Sequence, residues 1–267
     1  MNKIYNAIKK YLFKDTKYFF LYVYRYFQDN YHNDCKFYSN QEFKQRITNG
    51  KSVIRIGDGE IGLLHFMSIH YQVYSDSIRN DLLKIVKTYN DNSKYILSIP
   101  LPVNHTNKKL KDDSKSSTHD YFQCWLPLKI TYELIFNKKI KYFDAHAFYR
   151  DNYFKDIIFP CISDKKIIMV TNKNNSKDVN NSYFGDKIFN YVICAEKNSY
   201  EDREDIKRDI IEIINKSGFD KSNFVILMSA GLSKTIIYDM SKKGYQLLDT
   251  GKGLEGYYKE ISLEHLI

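Results

Sequence analysis

Two carboxylates one residue apart, Asp58 and Glu60, stand in the segment Arg55-Ile56-Gly57-Asp58-Gly59-Glu60, directly after the apolar run Ser52-Val53-Ile54. An acid-x-acid pair suits a hard cation: Mg2+ or Mn2+ takes one or two carboxylates and completes its shell with phosphate oxygens and water. Gly57 and Gly59 carry no Cβ, so the backbone there can turn sharply and come close to a ligand. The hexapeptide also has an ordinary alternative, since Asp-Gly is the commonest hairpin-turn dipeptide. Context has to decide between them.

The elements that would position this pair are legible on either side. Ser52 to Ile56, broken once by Arg55, predicts a buried strand with one polar side chain aimed at something specific. A helix follows from Ile61 to Ile69, its partial positive end facing the carboxylates. A second helix is expected over Ile78 to Tyr89 and a strand over Tyr95 to Pro100, while Phe43 to Asn49 leads into the first strand. The polar stretch 104–120 reads as a mobile loop, either a lid or an idle insertion. Tyr121 to Phe136 is expected as helix and Lys141 to Asp144 as a short strand.

Four further apolar runs of strand length begin at Lys166, Tyr191, Phe224 and Tyr245, and amphipathic helices near 200–216 and 232–243 separate the later ones. Near-continuous apolar strands alternating with helices predict an α/β fold: a Rossmann-like, mostly parallel, doubly wound sheet. Such sheets bind ligands beyond the carboxyl ends of their strands. The residues there are Gly57 to Glu60, Asn198 after the 191 run, Ser229 to Gly231 after the 224 run, and Asp249 to Lys252 after the 245 run.

Several of these blocks resemble one bacterial family. Arg55 to Glu60 is similar to the Arg-aromatic-Gly-Asp-Gly-Glu signature of the GT-D glycosyltransferases, with Ile56 in place of the aromatic. Ala195 to Tyr200 resembles the family's Pro-Ser-Lys-Asn-Ala-Phe, and Ser229-Ala230-Gly231-Leu232-Ser233-Lys234 its Leu-Gly-Pro-Thr-Ala-Thr turn. Asp239 to Gly251 follows its Asp-Leu-Ser-x-x-Gly-Tyr-Gln-Ala-Leu-Asp-Ile-Gly. The blocks keep their order over roughly residues 50 to 260. After Gly251 the family commonly has His, where this chain has Lys252.

The resemblance implies a metal-dependent transferase moving a hexose from a nucleotide-diphosphate sugar, a UDP-sugar first, to a surface glycan, lipid-linked acceptors included. Asp58 and Glu60 would hold Mn2+ or Mg2+, and the cation would neutralise the departing diphosphate. Arg55, Gly57, Gly59, Arg150, Asn198, Ser229, Gly231, Lys234 and Lys252 are the candidates for holding the nucleotide. Three of them have a plainer reading: Arg150 as a surface ion pair, Asn198 as a turn closer, Ser229 as a helix cap. Asp249, then His146 and Glu255, are the candidates for the base that deprotonates the acceptor.

Composition bounds the rest. The chain has 267 residues, 43% hydrophobic and 16% aromatic, enough for one large domain with a substantial core. Its net charge of +9 attracts polyanions and leaves a non-catalytic nucleotide- or polyanion-binding α/β module as the alternative function, yet no zinc-finger spacing, RNP-like segment or basic zipper accompanies it, so nucleic acid is not expected as a partner. Cys35, Cys124, Cys161 and Cys194 make no C-x-x-C pair, which points to reduced thiols and a cytoplasmic setting. Residues 1–34 form a basic, aromatic helical extension to a domain over 35–267. This extension either packs on the domain or lies on the inner face of an anionic membrane. Its apolar run is too short and interrupted to span a bilayer.

Overall fold

The computed structural model describes residues 15–117, 120–182, 184–231, 233–259 and 261–262. Lys3, Ile4, Ile8, Lys10, Tyr11, Leu12 and Lys14, which suggested a basic amphipathic helix, lie outside the described residues.

Eight strands form one sheet: β1 (Lys36–Phe37), β2 (Ser52–Arg55), β3 (Tyr95–Ile99), β4 (Lys141–Asp144), β5 (Lys166–Thr171), β6 (Ile188–Ile193), β7 (Phe224–Ser229) and β8 (Leu247–Asp249). Their spatial order is β1-β4-β3-β2-β8-β7-β5-β6. Every pairing among these strands is parallel. From β2 the chain steps outward to β3 and β4, crosses to β5 and the edge strand β6, and returns through β7 and β8 to lie against β2. The connections therefore leave β2 and β8 in opposite directions, which opens a crevice beyond their carboxyl ends.

Side-chain alternation along the strands explains why both faces are covered. Val53, Ile167, Met169, Val225 and Leu227 enter one hydrophobic cluster, whereas Ile54, Ile168, Val170, Ile226 and Met228 enter the other. The period of two sends successive residues to opposite faces, so a strand that is apolar throughout needs helices on both. These are α2 (Asn40–Thr48), α3 (Asp58–Leu64), α4 (Asp76–Thr88), α6 (Tyr121–Ile135), α7 (Lys173–Asn180), α8 (Arg203–Ser217), α9 (Lys234–Lys242) and α10 (Gly253–Lys259). The expected doubly wound α/β fold is what the chain adopts.

Three local expectations are corrected. The segment after Gly57 does not turn before entering its helix at Ile61; helix α3 begins at Asp58 itself and stops at Leu64. Phe43 to Asn49 is no lead-in but helix α2, opened by a reciprocal cap in which Ser39 Oγ accepts from Glu42 N and Glu42 Oε2 accepts from Ser39 N. The polar stretch 104–120 contains helix α5 (Asn107–Lys115), capped by Thr106, with Leu110 buried and Lys–Asp pairs three and four residues apart on its outer face. Charge density alone had disguised an amphipathic helix as a loop.

The N-terminal segment carries helix α1 (Thr16–Tyr26), whose Tyr18, Phe19 and Tyr22 join the same cluster as the sheet. Buried Lys129 of α6 ties the following segment down, donating to Tyr31 O at 2.6 Å, His105 O at 2.7 Å and Asn107 Oδ1 at 2.7 Å. These three acceptors use every N–H of the ammonium and so counter the burial that pushes Lys129 down to about 7. No helix among the described residues is long and apolar enough to cross a membrane.

Candidate functional site

The carboxyl ends of β2, β7 and β8 bring Glu60, Lys234 and Asp249 together. Lys234 Nζ lies 3.0 Å from Glu60 Oε1 and 3.3 Å from Asp249 Oδ2, and donates to Gly231 O at 3.3 Å. All three residues are buried, Asp249 at 1% exposure. Burial alone would lower the Lys234 amine, but the Asp249 and Glu60 charges outweigh it and raise it. Burial likewise works to raise the Glu60 carboxyl, and the Lys234 ammonium with the Gly57 N–H brings it below the usual range. Removing one member of such a cluster costs about 3–5 kcal/mol, because a buried charge is left without its partner.

Glu60 is held on every side. Its Oε2 accepts from Gly57 N at 2.8 Å and its Oε1 from the Tyr71 hydroxyl at 3.3 Å. The Tyr71 ring packs over two glycines: a Cβ at Gly59 would stand 2.8 Å from its hydroxyl, and one at Gly231 would stand 3.0 Å from Cδ2. Both glycines therefore serve the close approach of Tyr71. Asp58, two residues before Glu60, faces outward and is exposed. Surrounding protein and then the Glu60 charge raise its carboxyl.

Arg55 turns inward. Its Nε donates to Ala145 O and its Nη1 to Thr250 O, both at 3.0 Å, while its backbone N donates to Asp249 Oδ2 at 3.2 Å. The guanidinium lies 4.6 Å from the Tyr149 ring centre. Burial opposes the charge, but Tyr149 and Asp249 more than compensate and raise its pKa. Sequence reasoning had aimed Arg55 at phosphate; the fold uses it to join the loops after β4 and β8. Ser229 Oγ makes a similar tie, donating to Gly251 O at 3.1 Å. Asn198 closes a turn: it has φ +55°, its N donates to Tyr71 O at 2.8 Å, and its Oδ1 accepts from Val73 N at 2.9 Å.

Of the remaining candidates, Arg150 and His146 gather at the carboxyl end of β4. Arg150 pairs with buried Asp144, whose Oδ1 also accepts from His146 N at 3.0 Å. Burial raises Asp144. His146 is buried against Trp125, with ring centres 5.1 Å apart. Its burial, followed by the Arg55 and Arg150 charges, pushes it down to about 3, so the ring is neutral and a weak base. Its Nδ1 has no partner among the described residues. Glu255, on α10, lies 3.6 Å from Lys259 on the same helix. Lys252 is exposed on the rim before α10.

Beside Asp144 and His146 a hollow of ≈ 560 Å³ opens, lined also by Trp125, Tyr121, His105 and Arg150. A larger one of ≈ 870 Å³ borders Asn33, Asp34 and Lys36 near the start of β1, away from the strand carboxyl ends. Chemistry and topology favour the first.

A cation site does not fit Glu60 as it stands. Among the described residues no three His, Cys, Asp or Glu side chains gather as a metal cage. Glu60 Oε1 already faces an ammonium, and its Oε2 accepts from the Gly57 N–H.

The family model described as "Glycosyltransferase GT-D fold" matches residues 53–260, more than half of the chain. The chain belongs to the GT-D glycosyltransferase family. The "Probable glycosyl transferase Gly" of Streptococcus gordonii is 22% identical over 220 residues, covering 79% of this chain and 31% of that protein, so the chain spans under a third of that relative's length. Among solved structures, one described as a new glycosyltransferase from Streptococcus sanguinis superposes with TM-score 0.66 at 21% identity, over 86% of this chain and 87% of the other. Another, described as a domain of unknown function 1792 with a distinct glycosyltransferase fold, gives TM-score 0.65 at 20% identity over 93% and 88%. These structural likenesses establish the GT-D fold.

Tyr71, Asp144 and Trp125 escaped sequence reasoning. Nothing in the spacing of Tyr71 marks it; its place is visible only once Gly59 and Gly231 are seen to face each other. Asp144 could have been found, since it ends a strand at the carboxyl side of the sheet.

Proposed function

We propose that the chain transfers a hexose from a nucleotide-diphosphate sugar, a UDP-sugar first, to a glycan acceptor. The observation that supports this most is the family match itself, which covers the same strand ends whose loops build the charged floor at Glu60, Lys234 and Asp249. The diphosphate would lie over that floor, against the exposed side of Asp58 and under the rim lysine Lys252. The neighbouring hollow has the makings of a sugar subsite: aromatic Trp125 and Tyr121 with the polar groups of Asp144, Arg150 and His105. Its volume lies in the range of small-molecule sites, about 300–1,000 Å³.

Deprotonation of the acceptor falls to a group that can reach it. Asp249, buried and bound to Arg55 N and Lys234, holds the floor together instead. Asp144, whose carboxyl borders the hollow and is raised by burial, is better placed for the proton. Contact with an anionic membrane carrying lipid-linked acceptors is part of the same reading. Phe20, Tyr24 and Phe27 of the α1 segment recur at i, i+4 and i+7 and are 63%, 61% and 66% exposed.

The test is a panel of UDP-, GDP-, CDP- and dTDP-sugars, followed by melting shift and by release of free sugar in the absence of acceptor. A UDP-sugar is expected to raise the melting temperature and to be hydrolysed slowly, with hydrolysis lost in Asp144→Asn. If no nucleotide sugar of the panel binds or is cleaved, the proposed function is wrong.

A further inference from the structure

The Asp-x-Glu pair and the Ser229 to Lys234 turn are far apart in sequence, and their meeting changes what the pair can do. Lys234 Nζ has three donors and three acceptors: Glu60 Oε1 at 3.0 Å, Asp249 Oδ2 at 3.3 Å and Gly231 O at 3.3 Å. The side chain is 7% exposed and its carboxylate partners are 5% and 1% exposed. The ammonium has no second place to go among these contacts. In the turn that resembles Leu-Gly-Pro-Thr-Ala-Thr, Lys234 stands where the family pattern ends in Thr.

We propose that Lys234 occupies, as a built-in cation, the position a divalent metal would take beside Glu60, so that the site of this chain is assembled without Mg2+ or Mn2+. A hard cation needs oxygen ligands at about 2.0–2.2 Å with free lone pairs. Glu60 offers one oxygen to the Gly57 N–H and the other to Lys234 and Tyr71. A metal at Glu60 Oε1 would have to displace the buried ammonium from that oxygen, and a metal on the remaining lone pair of Oε2 would stand within a few ångströms of the same ammonium and be repelled by it. The exposed Asp58 remains, and a single carboxylate holds Mg2+ or Mn2+ weakly. With Lys234 in place, the two buried positive groups, Arg55 and Lys234, balance Glu60 and Asp249 permanently, instead of only when metal is bound.

This inference rests on the crevice beyond β2 and β8 being the donor site, but its first measurement needs no nucleotide. Free Mn2+ is followed by electron paramagnetic resonance while the full chain is titrated. The wild type is expected to bind no tighter than about 1 mM, the range of a single exposed carboxylate. Lys234→Thr releases Glu60 and Asp249 beside Asp58 and is expected to bind Mn2+ at least about tenfold tighter, a gain removed by adding Glu60→Gln. Wild-type binding below about 100 μM that disappears in Glu60→Gln overturns the proposal, as does a folded Lys234→Thr that gains nothing. Should Lys234→Thr fail to fold, the wild-type titration decides. In a second arm, UDP binding by the wild type is measured with EDTA and with Mn2+. Equal affinity supports the proposal and loss in EDTA overturns it, whereas absence of UDP binding in both refutes UDP as the donor's nucleotide and leaves the Mn2+ result to decide the proposal.

Discussion

The loop after β8 lies against Arg55 so tightly that one methyl group should disturb the floor of the site. Gly251 has φ +50°, and a Cβ there would collide with Arg55 Nη1 and stand 3.3 Å from its Cζ. A long exposed side chain could move aside. Arg55 is buried, and its Nε and Nη1 are bound to Ala145 O and Thr250 O. In Gly251→Ala the left-handed backbone costs about 1 kcal/mol. Displacing the guanidinium from one carbonyl adds about 1.5–3 kcal/mol for a charged hydrogen bond lost in a buried setting. The sum is about 2.5–4 kcal/mol. Gly50 supplies the control: its φ is +79°, and nothing lies within 4 Å of a Cβ built on it. Gly50→Ala should therefore cost only the backbone term, about 1 kcal/mol. Urea unfolding of both variants reads the difference, roughly 1.5–3 kcal/mol, as a lower midpoint at unchanged slope. Equal losses in the two variants would refute the idea that Arg55 is fixed by its carbonyls. The inward role assigned to Arg55 would fall with it.

Two further expectations follow from burial. His146 is pushed down to about 3, well under its unfolded value near 6.5, so between those pH values the unfolded chain takes up a proton the folded one refuses. The stability contributed by neutral His146 is thus complete above about pH 6.5 and falls by about 1.4 kcal/mol per unit as pH drops toward 3. His146→Gln should flatten the stability profile from pH 6.5 to 4 by nearly one proton, and parallel profiles would show that the ring is not desolvated as described. On α1 and its C-terminal cap, replacing exposed Phe20, Tyr24 and Phe27 with Ser should leave the melting temperature within a few degrees while reducing sedimentation with anionic vesicles. Undiminished sedimentation of the folded variant would remove this face from membrane contact.

Most of the sheet was legible because β2, β3, β5 and β7 are apolar runs and the later helices have clear periodicity, whereas the two-residue β1 gave no signal; Val53 and Ile54 alone already imply two covered faces. The misreadings came from short elements with weak hydrophobic signals. Helix α5 exposes so many lysines and aspartates that its one buried apolar residue, Leu110, could not announce it, and α2 is signalled chiefly by the Ser39–Glu42 cap. At the site, sequence could name the groups but not their commitments. Asp58 and Glu60 look equivalent in Asp-Gly-Glu, yet as the first and third residues of α3 they point in different directions: about 200° of helix turn separates i from i+2, so one meets water and the other the core. Glu60 then meets an amine from a segment more than 170 positions later, at the start of α9. Spacing within a motif carries information about neighbours along one helix or turn. It carries none about the counter-charge that another strand's end delivers, and for a buried carboxylate the counter-charge decides whether it is a ligand or a partner already taken.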